Sequence, residues 1–182
     1  MFETVQAWLI AQGLSSSLAT PVLRVGLGLV VVFISWLGGL FARRVIRKMV
    51  LKMVVASSTN WDDIAVQQGV FDHLLRLVPA LLIQLLIAIP LTGLPEAIGL
   101  VRTGIHIYML VVMIFVFDSI LNSTLAIYRQ YPVAKRFNLM AVVQVLKIII
   151  YIVISSLILS MMLDSSPLAL LSGMGALTAV LL

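Results

Sequence analysis

Cysteine is absent from this chain. No disulfide framework, thiolate nucleophile or cysteine-based zinc or iron–sulfur site can form from it. Charge is scarce as well. Only 10% of the 182 residues are Asp, Glu, Lys or Arg, against about 25% in ordinary soluble domains. The acidic residues number seven, which leaves few candidates for general acid–base chemistry. No glycine-rich phosphate loop, H-E-x-x-H or G-x-S-x-G pattern occurs. The two histidines, His73 and His106, are expected at opposite ends of neighbouring helices, too far apart to share a metal. Asp62 and Asp63 are adjacent, and adjacent residues on a helix point in different directions. The sequence therefore predicts no enzyme, no metal site and no cofactor.

What is present is apolar: 62% of the residues are hydrophobic. That excess excludes a disordered segment and a typical soluble enzyme, and calls for a bilayer as solvent. A span needs about 20 apolar residues. Five stretches are candidates: 22–42, 74–94, 100–121, 141–163 and 168–182. The expected fold is an all-α transmembrane bundle of five helices. The fifth stretch has 15 residues and reaches about 22 Å, short of a hydrocarbon core of about 30 Å. It carries no polar stop and no flanking Lys or Arg, and so reads as a helix cut before its end.

Basic residues set the orientation. Arg43, Arg44, Arg47, Lys48 and Lys52 follow the first span, and Arg129, Lys135 and Arg136 precede the fourth. Arg76 and Lys147 sit at starts of spans on that same side, while Arg24 and Arg102 fall on the other. The net charge of +5 is thus read as cytoplasmic loops facing anionic lipid, not as a nucleic-acid surface. The bias places the N-terminus outside. No basic n-region or A-x-A site marks a signal peptide in the first twenty residues.

Several polar residues stand out. Asp118 lies within a span, where an acid is by default a functional candidate. It could pair with a basic residue of a neighbouring helix, relay ions or form a gating contact. Lys147 lies about 9 Å into its span and can snorkel to the interface. In 58–76 (STNWDDIAVQQGVFDHLLR), Asn60 can cap a helix whose positive end suits Asp62 and Asp63, and Trp61 is an interface anchor. This piece reads either as an amphipathic connector or as a lever passing bilayer tension to the bundle. Together with Arg43, Arg44 and Arg47, Trp61, Asp62 and Asp63 are the candidates for sensing lipid. In the fifth helix Ser166 is placed to cap and Pro167 to take the first helical position. Ala169, Ser172, Gly173, Ala176 and Ala179 then share one face, opposite Leu170, Met174, Leu177 and Leu181. Such a small-residue face fits tight helix packing, within one bundle or in a ring of identical helices.

The run SSPLALLSGMGALTAVLL resembles the start of the pore helix in the small-conductance mechanosensitive channel family, in its five-span miniconductance branch. TNWDD, FDSILNSTLAIYRQYPVAKRF and VVQVLKIIIYIVISSLIL follow the same pattern in order. The resemblance implies a homoheptamer in the inner membrane whose fifth helices line a pore. It also implies helix packing through Gly173, Gly175, Ala176 and Ala179, and opening under membrane tension to release ions and small osmolytes in hypo-osmotic shock. Membrane lipid and other copies of the chain are the implied partners, with no small-molecule substrate. The family's cytoplasmic β-domain does not occur in these 182 residues. A secondary transporter subunit, or a small membrane protein without transport activity, is the alternative. A transporter would call for inverted repeats, and none is visible.

Overall fold

A computed structural model describes residues 16–56, 61–131, 139–169, 172–173 and 175–176. Among these the regular structure is helical, with no strand. The elements are α1 (Ser16–Ala56), α2 (Trp61–Gln67), α3 (Val70–Leu75), α4 (Leu77–Leu86), α5 (Pro95–Tyr128) and α6 (Leu139–Leu163). Three stretches are long and apolar enough to cross a membrane: Ala19–Met49 in α1, and the whole of α5 and α6.

Contacts fix the topology as an antiparallel zigzag. Along α1 and the α3–α4 segment, Arg24 meets Thr92, Gly38 faces Leu82, Gly39 faces Pro79 and Arg47 meets Asp72. Numbers rise on one side as they fall on the other. The α3–α4 segment runs antiparallel to α5 by the same criterion, since His73 meets Ser119 and Gln84 meets His106. Helix α6 runs antiparallel to α5, with Lys147 against Asn122 and Tyr151 against Asp118.

Small residues allow the close approaches. A Cβ on Gly38 would lie 2.5 Å from Leu82 Cδ1, and one on Gly39 would lie 3.3 Å from Pro79 Cδ. Hydrocarbon gives little drive for helices to associate, so backbone proximity and dispersion must hold them. On α5 and α6 the buried polar residues are serines. Ser119, Ser123, Ser156 and Ser160 are buried. Ser123 Oγ donates to Ser119 O at 2.7 Å and Ser156 Oγ to Val153 O at 2.8 Å. A hydroxyl satisfied on its own helix can enter an apolar seam without an unpaired donor. Val112 and Val116 on α5, and Val143 and Ile154 on α6, are buried as well.

The second expected span, 74–94, is not one continuous helix. Pro79 has no N–H for Leu75 O, and Pro90 has none for Leu86 O. The chain passes through Arg76, still with helical dihedrals, from α3 into α4. Helix α4 then ends at Leu86, whose carbonyl accepts from Ile89 N at 3.0 Å in a tighter turn. Tyr108 OH donates to Arg76 O at 3.2 Å, a bond from a neighbouring helix beside the interruption. Beyond the buried Pro90, Gly93 takes φ 82°, which only glycine adopts readily, and Pro95 opens α5. Gly69 plays the same part at φ 74°, where the chain turns from α2 into α3.

The other helices outrun their apolar cores. Helix α1 continues through the basic run to Ala56, and α5 starts at Pro95 and ends at Tyr128. At 1.5 Å per residue, the 34 residues of α5 extend about 51 Å, well beyond a core of about 30 Å. Large apolar side chains stay on the outside: Phe33 and Trp36 are 57% exposed and Phe41 70%. At about 25 cal/mol per Å² such surfaces are costly against water and nearly free against lipid.

Candidate functional site

The main polar constellation sits between α5 and α6, within the segments fit to span a membrane. Asp118 lies ten residues, about 15 Å, before the end of α5, and Lys147 eight residues, about 12 Å, after the start of α6. Lys147 Nζ is 2.6 Å from Asp118 Oδ1 and donates to Asn122 Oδ1 at 2.8 Å. Tyr151 OH donates to the same Asp118 oxygen at 2.9 Å. Asn122 Nδ2 donates to the other carboxylate oxygen at 3.0 Å. Both oxygens are therefore engaged, and the two ionic side chains are only 21% and 30% exposed. The chemistry is that of a clamp. An acid with three donors on it holds two helices in one register, and Lys147 reaches across the seam to it.

Helix geometry explains why four side chains converge. Asp118 and Asn122 are four apart, as are Lys147 and Tyr151. Each pair therefore stands on one face of its helix, one turn apart. Two such pairs on antiparallel helices meet as a rectangle. This spacing inside otherwise apolar runs was the available signal for the cluster. Lys147 meets Asp118 across the helices instead of reaching alone for the interface, and Tyr151, which the apolar run does not single out, joins them.

Two further polar contacts tie the α3–α4 segment to α5. His73 Nδ1 lies 2.8 Å from Ser119 Oγ, with the imidazole stacked on Phe115 at a centroid distance of 5.7 Å. Gln84 Nε2 lies 3.0 Å from His106 Nε2. Ser119 and His106 are thirteen residues apart on α5, so the two histidines are held about 20 Å apart along that axis. Each serves one interhelical hydrogen bond.

The lipid-sensing candidates fall at one end of the bundle. Arg43, Arg44 and Arg47 are exposed on α1, and Arg47 forms an exposed ion pair with Asp72 at 3.2 Å. Trp61 begins α2 and is 52% exposed. Asp63 is exposed on the same helix; Asp62 is helical, and its side chain lies outside the described residues, as does Asn60.

After α6, Asp164 takes φ 49° and Ser160 Oγ donates to Ser165 O. Residues 167–169 are helical, and Ala169 N donates to Ser166 Oγ at 3.1 Å. Ser166 thus caps the turn that Pro167 opens. Ser172, Gly173, Gly175 and Ala176 are helical and exposed. A Cβ built on Gly173 or Gly175 would meet nothing within 4 Å. Ala179 lies outside the described residues.

No protein-family model and no solved structure matches this chain.

Proposed function

We propose that this chain is a subunit of a tension-gated ion channel. It would reside in a bacterial-type cytoplasmic membrane with its N-terminus outside, five spans including the interrupted second, and other copies of itself as partners. Seven copies is the number that the family resemblance implies.

One observation carries the reading. Gly38 and Gly39 sit where α1 meets α4 and four serines of α5 and α6 are buried, while Gly26, Gly28, Gly99 and Gly104 stand open. The capped segment from Pro167 carries Ser172, Gly173, Gly175 and Ala176, all exposed, and among the described residues nothing lies within 4 Å of a Cβ built on either glycine. A small-residue face favours close helix contact, and in lipid such a face gains little unless another helix fills it. Copies of the same helix around an axis would fill it and enclose a pore. The antiparallel zigzag supports the orientation. It brings the basic end of α1, the start of α3 and the α5 terminus at Arg129 to one side, with Glu96 on the other.

The mechanism follows from work done by tension. Membrane tension favours the conformer of larger in-plane area by an energy equal to tension times the area change. No ligand or cofactor enters this term. Exposed apolar faces of α1 couple to lipid, and the α1–α4 and α5–α6 seams pass the motion on. The capped helix shifts against its neighbours, and the pore widens and wets. Ions and small osmolytes then leave down their gradients.

Asp118 favours a transporter reading more than any other residue does, as an intramembrane acid. Its two oxygens already accept from Lys147, Tyr151 and Asn122, an arrangement better suited to holding helices than to passing protons.

The test is solute release. Liposomes holding the protein and a small self-quenched dye are diluted into hypo-osmotic buffer. Release that grows with the osmotic step, and that protein-free liposomes lack, is expected. Release equal to that of empty liposomes at every step short of lysis refutes the proposal.

A further inference from the structure

One face of α1, turned largely away from the bundle but reaching Asp72 through Arg47, carries two features in line. Leu29, Phe33 and Trp36 bound a shallow apolar groove of about 570 Å³, with the two rings 6.2 Å apart. Toward the helix C-terminus, Arg43, Arg44, Arg47 and Lys48 surround Leu40 in a second concavity of about 460 Å³. Helical winding of 3.6 residues per turn puts both sets of side chains on the same side of α1. Around the axis the order is Arg43, Trp36, Arg47, Leu40, Phe33, Arg44 and Lys48, and together they cover well under half the circumference. Gly38 and Gly39, which meet Leu82 and Pro79 in the α4 segment, both fall in the remainder, on the bundle side. From Phe33 to Arg43 the helix rises about 15 Å, the depth of one leaflet of a core of about 30 Å.

Four cations within six residues repel one another, and among the described residues only Arg47 has a carboxylate partner, Asp72. Guanidinium groups take phosphate through paired N–H donors, and each basic residue at a membrane surface adds attraction to anionic lipid. A shallow apolar groove followed along the helix by a basic concavity, one of whose four cations has a carboxylate partner among the described residues, matches a molecule with a hydrocarbon tail and an anionic head.

We propose that this face of α1 is a binding site for one anionic phospholipid. Arg43, Arg44 and Lys48 hold its phosphate, Arg47 is shared with Asp72, and an acyl chain lies along Phe33 and Trp36. The inference rests on the membrane reading of α1, not on gating by tension, and its test applies no tension.

The test uses Trp36 as reporter. The full chain carrying Trp8→Phe and Trp61→Phe, which leaves Trp36 as the remaining tryptophan, is reconstituted in bilayers. Acyl-brominated phosphatidylglycerol or acyl-brominated phosphatidylcholine is titrated in at matched mole fractions. Stronger quenching by the anionic lipid is expected, with an apparent preference of roughly fivefold or more, from about 1 kcal/mol per engaged cation. Arg43→Gln with Arg44→Gln abolishes the preference, while Arg76→Gln with Arg129→Gln, an equal loss of charge at exposed sites elsewhere, keeps it. Helix content by circular dichroism confirms folding. Should the Arg43/Arg44 variant lose helix, Lys48→Gln alone reports, with the preference reduced severalfold. Equal quenching by both lipids, or the same loss of preference in the Arg76/Arg129 variant, overturns the proposal. Quenching by neither lipid also overturns it, because a protein then covers the groove.

Discussion

Lys147→Met tests the clamp between α5 and α6. Methionine keeps the length and apolar character of the stem but removes the charge 2.6 Å from Asp118. The carboxylate is left with Tyr151 and Asn122 as donors. Breaking a fully buried ion pair by removing one partner costs about 3–5 kcal/mol. Here the side chains are 21% and 30% exposed, and two hydrogen bonds to the acid survive. A charged residue near the centre of a membrane helix costs about 2.5–3.5 kcal/mol on insertion scales. The expected loss is therefore about 2 kcal/mol, below both figures because the acid keeps two donors and some access to water. Adding Asp118→Asn removes the stranded charge and leaves an acceptor for Tyr151, so the double variant should lie within about 1 kcal/mol of the parent. The assay is equilibrium unfolding of the parent, both single variants and the double variant in mixed micelles, closed as a double-mutant cycle. A double variant as unstable as the sum of the singles would refute the reasoning, because the two residues would then act independently.

Three further outcomes follow from the same geometry. Gly38→Val should destabilise by about 1–3 kcal/mol through its clash with Leu82, while Gly26→Ala, where a Cβ meets nothing within 4 Å, should be neutral or slightly stabilising; thermal unfolding in detergent compares them. Arg47→Ala removes an ion pair whose side chains are 68% and 56% exposed, so its cost should stay below about 1 kcal/mol and shrink in high salt. Ser166→Ala should cost about 0.5–2 kcal/mol locally, seen as faster hydrogen exchange at Ala169 N with exchange in α5 unchanged.

The sequence makes the helices legible and the seams much less so. The runs 22–42, 100–121 and 141–163 each lie inside a helix long and apolar enough to cross a membrane. Helix α1 extends further than its apolar run, because FARRVIRKMVLK is mostly Ala, Arg, Lys, Met and Leu, good helix formers that need no hydrocarbon to stay helical. Pro79 and Pro90 were visible inside the second run, but where the helix would stop was not. That depended on Ile89 N taking over Leu86 O and on Tyr108 reaching Arg76 O. Asp118 was legible as an intramembrane acid with a basic neighbour open to it. Its partner was set by the register of two antiparallel helices, a long-range property that composition does not carry. The use of Gly38 and Gly39 appears only once Leu82 and Pro79 stand opposite. The Ser166–Pro167 start was local chemistry and could be read from two residues.

In the proposed function, tension alone opens a pore built by copies of this chain. Patch-clamp recording from giant liposomes holding the purified protein, with suction applied stepwise, addresses it most directly. Unitary currents whose open probability rises with suction and falls on release are the expected result. Patches that hold verified protein and stay silent up to rupture would contradict the claim.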